Sequence, residues 1–214
     1  MATKIKSSET VLFIGDSITD CGRREAHRPL GAGYVKLFDD LFIQREPEKR
    51  VQFINKGISG DRVTGLWNRW TDDVIRHRPD WLSIKIGIND LHSHWRGDKE
   101  NGVSPEKFEA TYVRILDCMR AELPRCRILL IDPFYISQTK THECQRREIL
   151  KLLPAYIDIV HRMSRTYKTR LVKTHEMFQR LLKHYDADTF CPEPVHPNPT
   201  GHLAIAEAVY QALS

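Results

Sequence analysis

The chain has 214 residues, of which 41% are hydrophobic and 29% charged. That supports one large domain or at most two small ones and excludes a disordered chain, while 11 Gly and 11 Pro exclude a collagen-like or linker-dominated composition. The formal net charge is +5, but the basic residues are scattered, with Arg23-Arg24 and Arg146-Arg147 the densest clusters. This is an ordinary solvated surface rather than a nucleic-acid-binding stripe.

No apolar run reaches the roughly 18 residues of a membrane span. The first ten residues lack the apolar segment of a signal peptide. A cytoplasmic protein that binds neither membrane nor nucleic acid is the expectation. Five cysteines without a Cys-x-x-Cys pair read as free thiols.

The elements follow in chain order. Val11 to Ile14 is a short apolar run ending at Gly15-Asp16, a buried strand. Tyr34 to Ile43 has helical spacing, and Val51 to Ile54 is a second strand. Val63 to Arg76 carries one apolar face, at Val63, Leu66, Trp67, Trp70, Val74 and Ile75, and predicts one helix with Trp67 and Trp70 in the core or a subunit interface. Trp81 to Ile86 is a third strand. Pro105 to Leu123 is a long helix, with Ser104 as its cap and Pro105 at its first position. Arg127 to Ile131 is a fourth strand, halted by Asp132-Pro133. Glu143 to Tyr167 is helical, kinked or split by Pro154. Arg170 to Val172 is a fifth strand, and His175 to His184 and Thr200 to Leu213 are the last helices. Alternating strands and helices predict a single α/β domain over residues 1–214, with a five-stranded parallel sheet between two helical layers.

In such sheets ligands bind beyond the carboxyl ends of the strands. The first strand ends in Gly15-Asp16-Ser17, where Ser17 is either a nucleophile or a helix cap. The second runs into Asn55-Lys56-Gly57-Ile58-Ser59-Gly60, whose glycines expose backbone N–H groups that suit an oxyanion or a phosphate, or make a plain loop. The third runs into Gly87-Ile88-Asn89-Asp90, where the Asn89 amide is a neutral donor or a cap. Near the C-terminus, Glu193 stands three residues before His196. A carboxylate so placed holds an imidazole that then serves as general base. No Gly-x-Ser-x-Gly elbow is present.

Taken together, Ser17, Gly60, Asn89 and His196 resemble the four marks of the SGNH (GDSL-type) hydrolase family, over residues 11 to 202. A narrower likeness runs through Phe13 to Arg23, Gly31-x-Gly33-Tyr34-Val35, Asn55 to Gly60, Arg69-Trp70 and Ile86 to Asp90. It is to the intracellular acetylxylan-esterase-like branch, whose members deacetylate xylo-oligosaccharides. The resemblance implies a flavodoxin-like serine esterase acting on an acetylated oligosaccharide or another small ester. It needs no cofactor and no metal, and the branch suggests a homo-oligomer. Ser17 would attack the ester and His196 would move the proton. The Ser17 and Gly60 N–H groups and the Asn89 amide would form the oxyanion hole. Glu193 replaces the family's usual Asp; a backbone carbonyl or Asp188 are the alternatives at that place. Asp16, His92, His94 and Trp95 are candidate site-lining residues, with a bracing role in the loop the stronger reading for Asp16. His202, at the start of the last helix, reads as structural. A short-chain or lysophospholipid-type esterase, or a thioesterase, would use the same site with a longer apolar groove. A non-hydrolytic binding module would have little use for the complete set.

Overall fold

A run such as Val11-Leu12-Phe13-Ile14 has no polar face, so it is stable only when covered on both sides. The computed structural model, which describes residues 2–138 and 144–214, covers it that way. β1 (Thr10–Gly15) lies inside a parallel sheet of order β2-β1-β3-β4-β5, with β2 (Gln52–Gly57), β3 (Trp81–Lys85), β4 (Arg127–Ile131) and β5 (Arg170–Val172). Phe13 sits opposite Asn55 on one side and Ser83 on the other. The chain leaves β1 for β2 and then returns to the far side of β1 for β3. The carboxyl ends of β1 and β3 therefore diverge into a crevice.

The helices among the described residues are α1 (Ser17–Asp20), α2 (Tyr34–Arg45), α3 (Val63–Asn68), α4 (Trp70–Asp73), α5 (Ile88–Trp95), α6 (Pro105–Glu122), α7 (Gln145–Thr166), α8 (Thr174–Leu181) and α9 (Pro199–Leu213). α2 and α9 pack together on one side of the sheet. Phe13, Tyr34, Phe38 and Phe53 meet edge to face beneath them. α6 joins α3 and α7, and α7 also meets α5. There Phe108, Tyr112 and Tyr156 form a second aromatic cluster. Ser104 caps α6 by accepting from the Lys107 N–H, and Pro105 follows it, an arrangement that contributes about 1 kcal/mol.

Two helical expectations need correction. Residues 63–76 do not form one helix. They divide into α3, α4 and a short 3₁₀ turn at Ile75–His77. The break falls at Arg69, whose guanidinium is drawn to Asp61, Asp73 and the Lys56 carbonyl. Trp70 is core, while Trp67 is partly buried under the Arg114 guanidinium. Conversely, α7 runs through Pro154 undivided. Buried residues on both sides of the proline, among them Ile149, Leu153, Tyr156 and Val160, hold the helix to the core despite the missing N–H. The predicted start at Glu143 lies outside the described residues.

His202 joins the layer of α2 and α9. Its Nδ1 accepts from the Tyr34 N–H at 3.1 Å, at the start of α2, and its Nε2 faces Cys21 Sγ at 3.6 Å. Burial depresses its pKa to about 4. The unfolded chain takes up a proton near the ordinary value of 6.5 and the folded chain does not. Stability from neutral His202 is thus present above that value and is lost as pH falls toward 4. In thermal melts, the advantage of wild type over His202→Asn should shrink from pH 7 to pH 4. An advantage independent of pH would refute the buried neutral state.

Candidate active site

Ser17 is the first residue of α1, directly beyond β1. Gly15 must be glycine there, since a Cβ would fall 2.2 Å from the Lys85 carbonyl oxygen on β3. Asp16 caps α1, its Oδ1 accepting from the Ile18 N–H at 3.0 Å. Its Oδ2 lies 3.6 Å from Lys85 Nζ, and both side chains are fully buried. Burial lowers the Lys85 pKa, and Asp16 opposes that effect. Asp16 therefore lies beneath the turn that presents Ser17, not in the wall of the crevice.

His196 arrives from the other end of the chain, in the loop before α9. Its Nε2 is 2.8 Å from Ser17 Oγ, across a separation of 179 residues. Its Nδ1 is 2.5 Å from Glu193 Oε1, which also accepts from the His196 N–H at 2.6 Å. Glu193 Oε2 accepts from the Val195 N–H at 3.1 Å. The carboxylate thus holds both the loop and the ring. With Nδ1–H donating to Glu193, Nε2 of the neutral ring is free to accept from the Ser17 hydroxyl. Glu193, rather than Asp188 or a backbone carbonyl, occupies the Nδ1 side, because the loop curls back over its longer side chain. The His196 and Glu193 side chains are 59% and 46% exposed, so this row of groups is open to a large substrate.

The other two segments are tied to the first by side chains that take no part in this row. Asn55 bridges β2 to the loop after β1, donating to the Thr19 and Leu30 carbonyls at 2.6 and 2.7 Å. Asp20 Oδ2 accepts from the Ser59 N–H at 2.9 Å, and also from Arg24. Burial alone would raise its pKa, but these hydrogen bonds hold it below the ordinary value. Gly60 has φ +79°, and a Cβ there would meet nothing within 4 Å. Its requirement is conformational.

Asn89 lies one residue into α5. One N–H of its amide donates to the Asp61 carbonyl at 3.1 Å, which orients the amide and leaves the second N–H for a ligand. Its neighbour Asp90 is fully buried, and its Oδ1 accepts from the Val63 N–H at 2.9 Å. Asp61 pairs with Arg69, which also reaches Lys56 and Gly15 carbonyls. Asp20, Asp61, Arg69 and Asp90 therefore lock the loops that carry Ser17, Gly60 and Asn89. Sequence reasoning missed these roles; a charged residue beside each strand end was the available signal.

A pocket of about 270 Å³ adjoins Gly60 and Asn89, and His92, Ser93, Arg62, Arg96 and Asp98 complete its wall. Burial lowers the pKa of His92, which lies close enough to feel the charges of Glu193 and His196. His94 is exposed, and Trp95 packs against the core; neither lines this pocket. Among the described residues no group of three or more His, Cys, Asp or Glu side chains could hold a metal ion.

Residues 13–204 match the GDSL-like lipase/acylhydrolase family. The chain is 37% identical to the acetylxylan esterase of Geobacillus stearothermophilus, over 96% of this chain and 94% of the relative. The crystal structure of an acetylxylan esterase from that organism is similar with a TM-score of 0.86 at 35% identity, covering 99% of this chain and 96% of that one. Three further structures of that esterase are catalytic mutants, with alanine in place of a serine, an aspartate or a histidine. An α/β hydrolase enzyme from the metagenome of Lake Arreo, Spain, is similar with a TM-score of 0.86 at 28% identity, covering 98% of this chain and 96% of that one.

Burial pushes the Asp90 pKa up to about 7, against the hydrogen bond from the Val63 N–H. Stability from the protonated form is complete near pH 4 and is lost as pH rises through about 7. Asp90→Asn keeps an acceptor and cannot ionise. Its melting temperature should therefore gain on wild type as pH rises from 4 to 8. A difference that stays flat would show that Asp90 is ionised throughout.

Proposed function

The chain belongs to the GDSL-like lipase/acylhydrolase family and is a carboxylic ester hydrolase, and we propose that it removes acetyl groups from short xylo-oligosaccharides through an acyl-enzyme on Ser17. The observation that carries this reading is the hydrogen-bonded row Ser17–His196–Glu193 at the crevice. The serine and histidine replaced in the Geobacillus catalytic mutants are also 179 residues apart, and the aspartate precedes that histidine by 3 residues, as Glu193 precedes His196.

In the first half-reaction the Ser17 hydroxyl adds to the ester carbonyl as its proton passes to His196 Nε2. The Ser17 and Gly60 N–H groups and the free Asn89 N–H receive the oxyanion. Each such donor is worth on the order of 10²–10³ in turnover. His196 then returns the proton to the departing sugar hydroxyl. Water, deprotonated by His196 in turn, releases acetate and restores Ser17. Glu193 stabilises the imidazolium in both halves without taking its proton.

The pocket beside Gly60 and Asn89 supports a sugar rather than a long acyl chain. Its wall is polar and charged and, among the described residues, contains no aliphatic side chain, so a fatty chain there would gain little from burial. Among the described residues no helix is long and apolar enough to cross a membrane. Five free cysteines support a reducing cytoplasm, where imported oligosaccharides would be the substrate. The reading takes residues 1–214 as one catalytic domain. Ile43 on α2 and Leu203 on α9, both exposed on packed neighbouring helices, support self-association into a homo-oligomer.

The test follows acid release from an acetylated xylo-oligosaccharide and from an octanoyl ester. Wild type should release acetate far faster than octanoate, and Ser17→Ala should lose both activities by several orders of magnitude. Preference for octanoate would replace the sugar reading with a lipid-type esterase, and undiminished Ser17→Ala would overturn the mechanism. Glu193→Gln should lower kcat by up to about 10⁴-fold while the protein stays folded. Unchanged turnover would remove Glu193 from the row.

A further inference from the structure

α5 carries Asn89 in its first turn and is capped by Arg96 at its other end. Residues 89, 92, 93 and 96 are spaced i, i+3, i+4 and i+7, so they share one helical face. All four line the pocket beside Gly60. Seven residues of helix rise about 10 Å. The face therefore leads from the ester carbonyl to a point about a disaccharide's length away.

The charges along this face are not balanced. Arg62, opposite, is spent: its Nη1 donates to the Asn101 carbonyl at 2.6 Å and lies 3.7 Å from Asp98 Oδ2. Asp98 is spent as well, since its Oδ1 accepts from the Glu100 and Asn101 N–H groups at 3.2 and 2.9 Å. It is the pocket's one carboxylate among the described residues. Arg96 is exposed and makes no ion pair among the described residues. An open guanidinium at the end of a polar cleft suits an oxyanion such as a carboxylate, which it binds with two parallel hydrogen bonds.

We propose that Arg96 forms a subsite for a sugar carboxylate, so that acetylated oligosaccharides bearing a hexuronic acid away from the acetyl group are preferred substrates. This rests on the sugar-deacetylase reading. The carboxylate would sit against Arg96 while the acetylated ring stays at Ser17. Phosphate and sulfate esters can also engage a guanidinium through two hydrogen bonds; the hexuronic acid is favoured because its single negative charge is matched by the one unpaired guanidinium of this pocket among the described residues. Arg96 is thus a specificity residue that acts on binding, at a distance from the reacting atoms.

The experiment compares kcat/KM for a neutral acetylated xylo-oligosaccharide with that for the same oligosaccharide carrying a hexuronic acid, at low and high salt, in wild type and Arg96→Gln. Wild type should prefer the acidic substrate about tenfold at low salt, through KM, and Arg96→Gln should abolish the preference. Equal use of both substrates by wild type, or a preference that survives in Arg96→Gln, would overturn the subsite. A second arm measures inhibition of 4-nitrophenyl acetate hydrolysis by the unacetylated acidic oligosaccharide. If wild type hydrolyses that small ester but neither oligosaccharide, the sugar-deacetylase reading fails. Inhibition that weakens about tenfold in Arg96→Gln would still uphold the anion subsite, and inhibition that is absent or unaltered in Arg96→Gln would remove it.

Discussion

The contact on which the site depends is the close approach of the β1 turn to the backbone of β3. At Gly15 there is no room for a Cβ against the Lys85 carbonyl. One residue later Asp16 meets the Lys85 ammonium, with both side chains out of water. A buried pair of this kind is not a strong source of net stability, because each charge loses its hydration. Its effect here is on geometry. Either charge alone would be costly to bury, so the two hold each other beneath Ser17. Phe134, whose ring lies 4.9 Å from Lys85 Nζ, closes the space around the ammonium.

From that anchor the crevice is assembled by carboxylates that do no chemistry. Asp20 draws in the loop after β2, Asp61 receives Arg69, and Asp90 joins the start of α5 to the start of α3. Asp20 and Asp90 satisfy the backbone N–H groups of Ser59 and Val63, and Asp61 accepts from the Arg69 guanidinium. Oxyanion stabilisation requires donors already fixed before charge develops, and this framework holds the loops through hydrogen bonds and ion pairs. The reactive row on the opposite side is the exposed part. The protein thus combines a donor side braced from behind by the buried Asp16, Asp20 and Asp90 with an open base side, a combination suited to small acyl groups on large alcohols.

Much of this was legible in the chain. Apolar runs marked β1 and β4, because a parallel strand between helical layers must be apolar on both faces, and alternation marked Trp81 to Ile86. The residues after those runs held the polar groups that reach the crevice. Helices were less legible where the tertiary structure rules them. α1 has four residues, too few for a period. α5 starts directly from Gly87 with turn-favouring Asn and Asp, so the shared face of Asn89, His92, Ser93 and Arg96 emerged only with the fold. The break at Arg69 was invisible to hydrophobic spacing, which does not register where a guanidinium is pinned. Asp16 carried the same ambiguity, since a buried brace and a wall residue read alike at a strand end.

By itself the sequence determined the kinds of group at each strand end and the alternation that makes a parallel sheet. Those properties arise within a few residues, from side-chain period and local backbone preference. The tertiary structure decided which groups meet. Ser17 and His196 come within 2.8 Å across 179 residues, and Glu193, despite its extra methylene, reaches the ring because its loop turns back over it. Hydrogen bonds of that length tolerate errors of only a few tenths of an ångström. Such placement comes from the packing of the whole sheet and both helical layers, which local spacing does not encode.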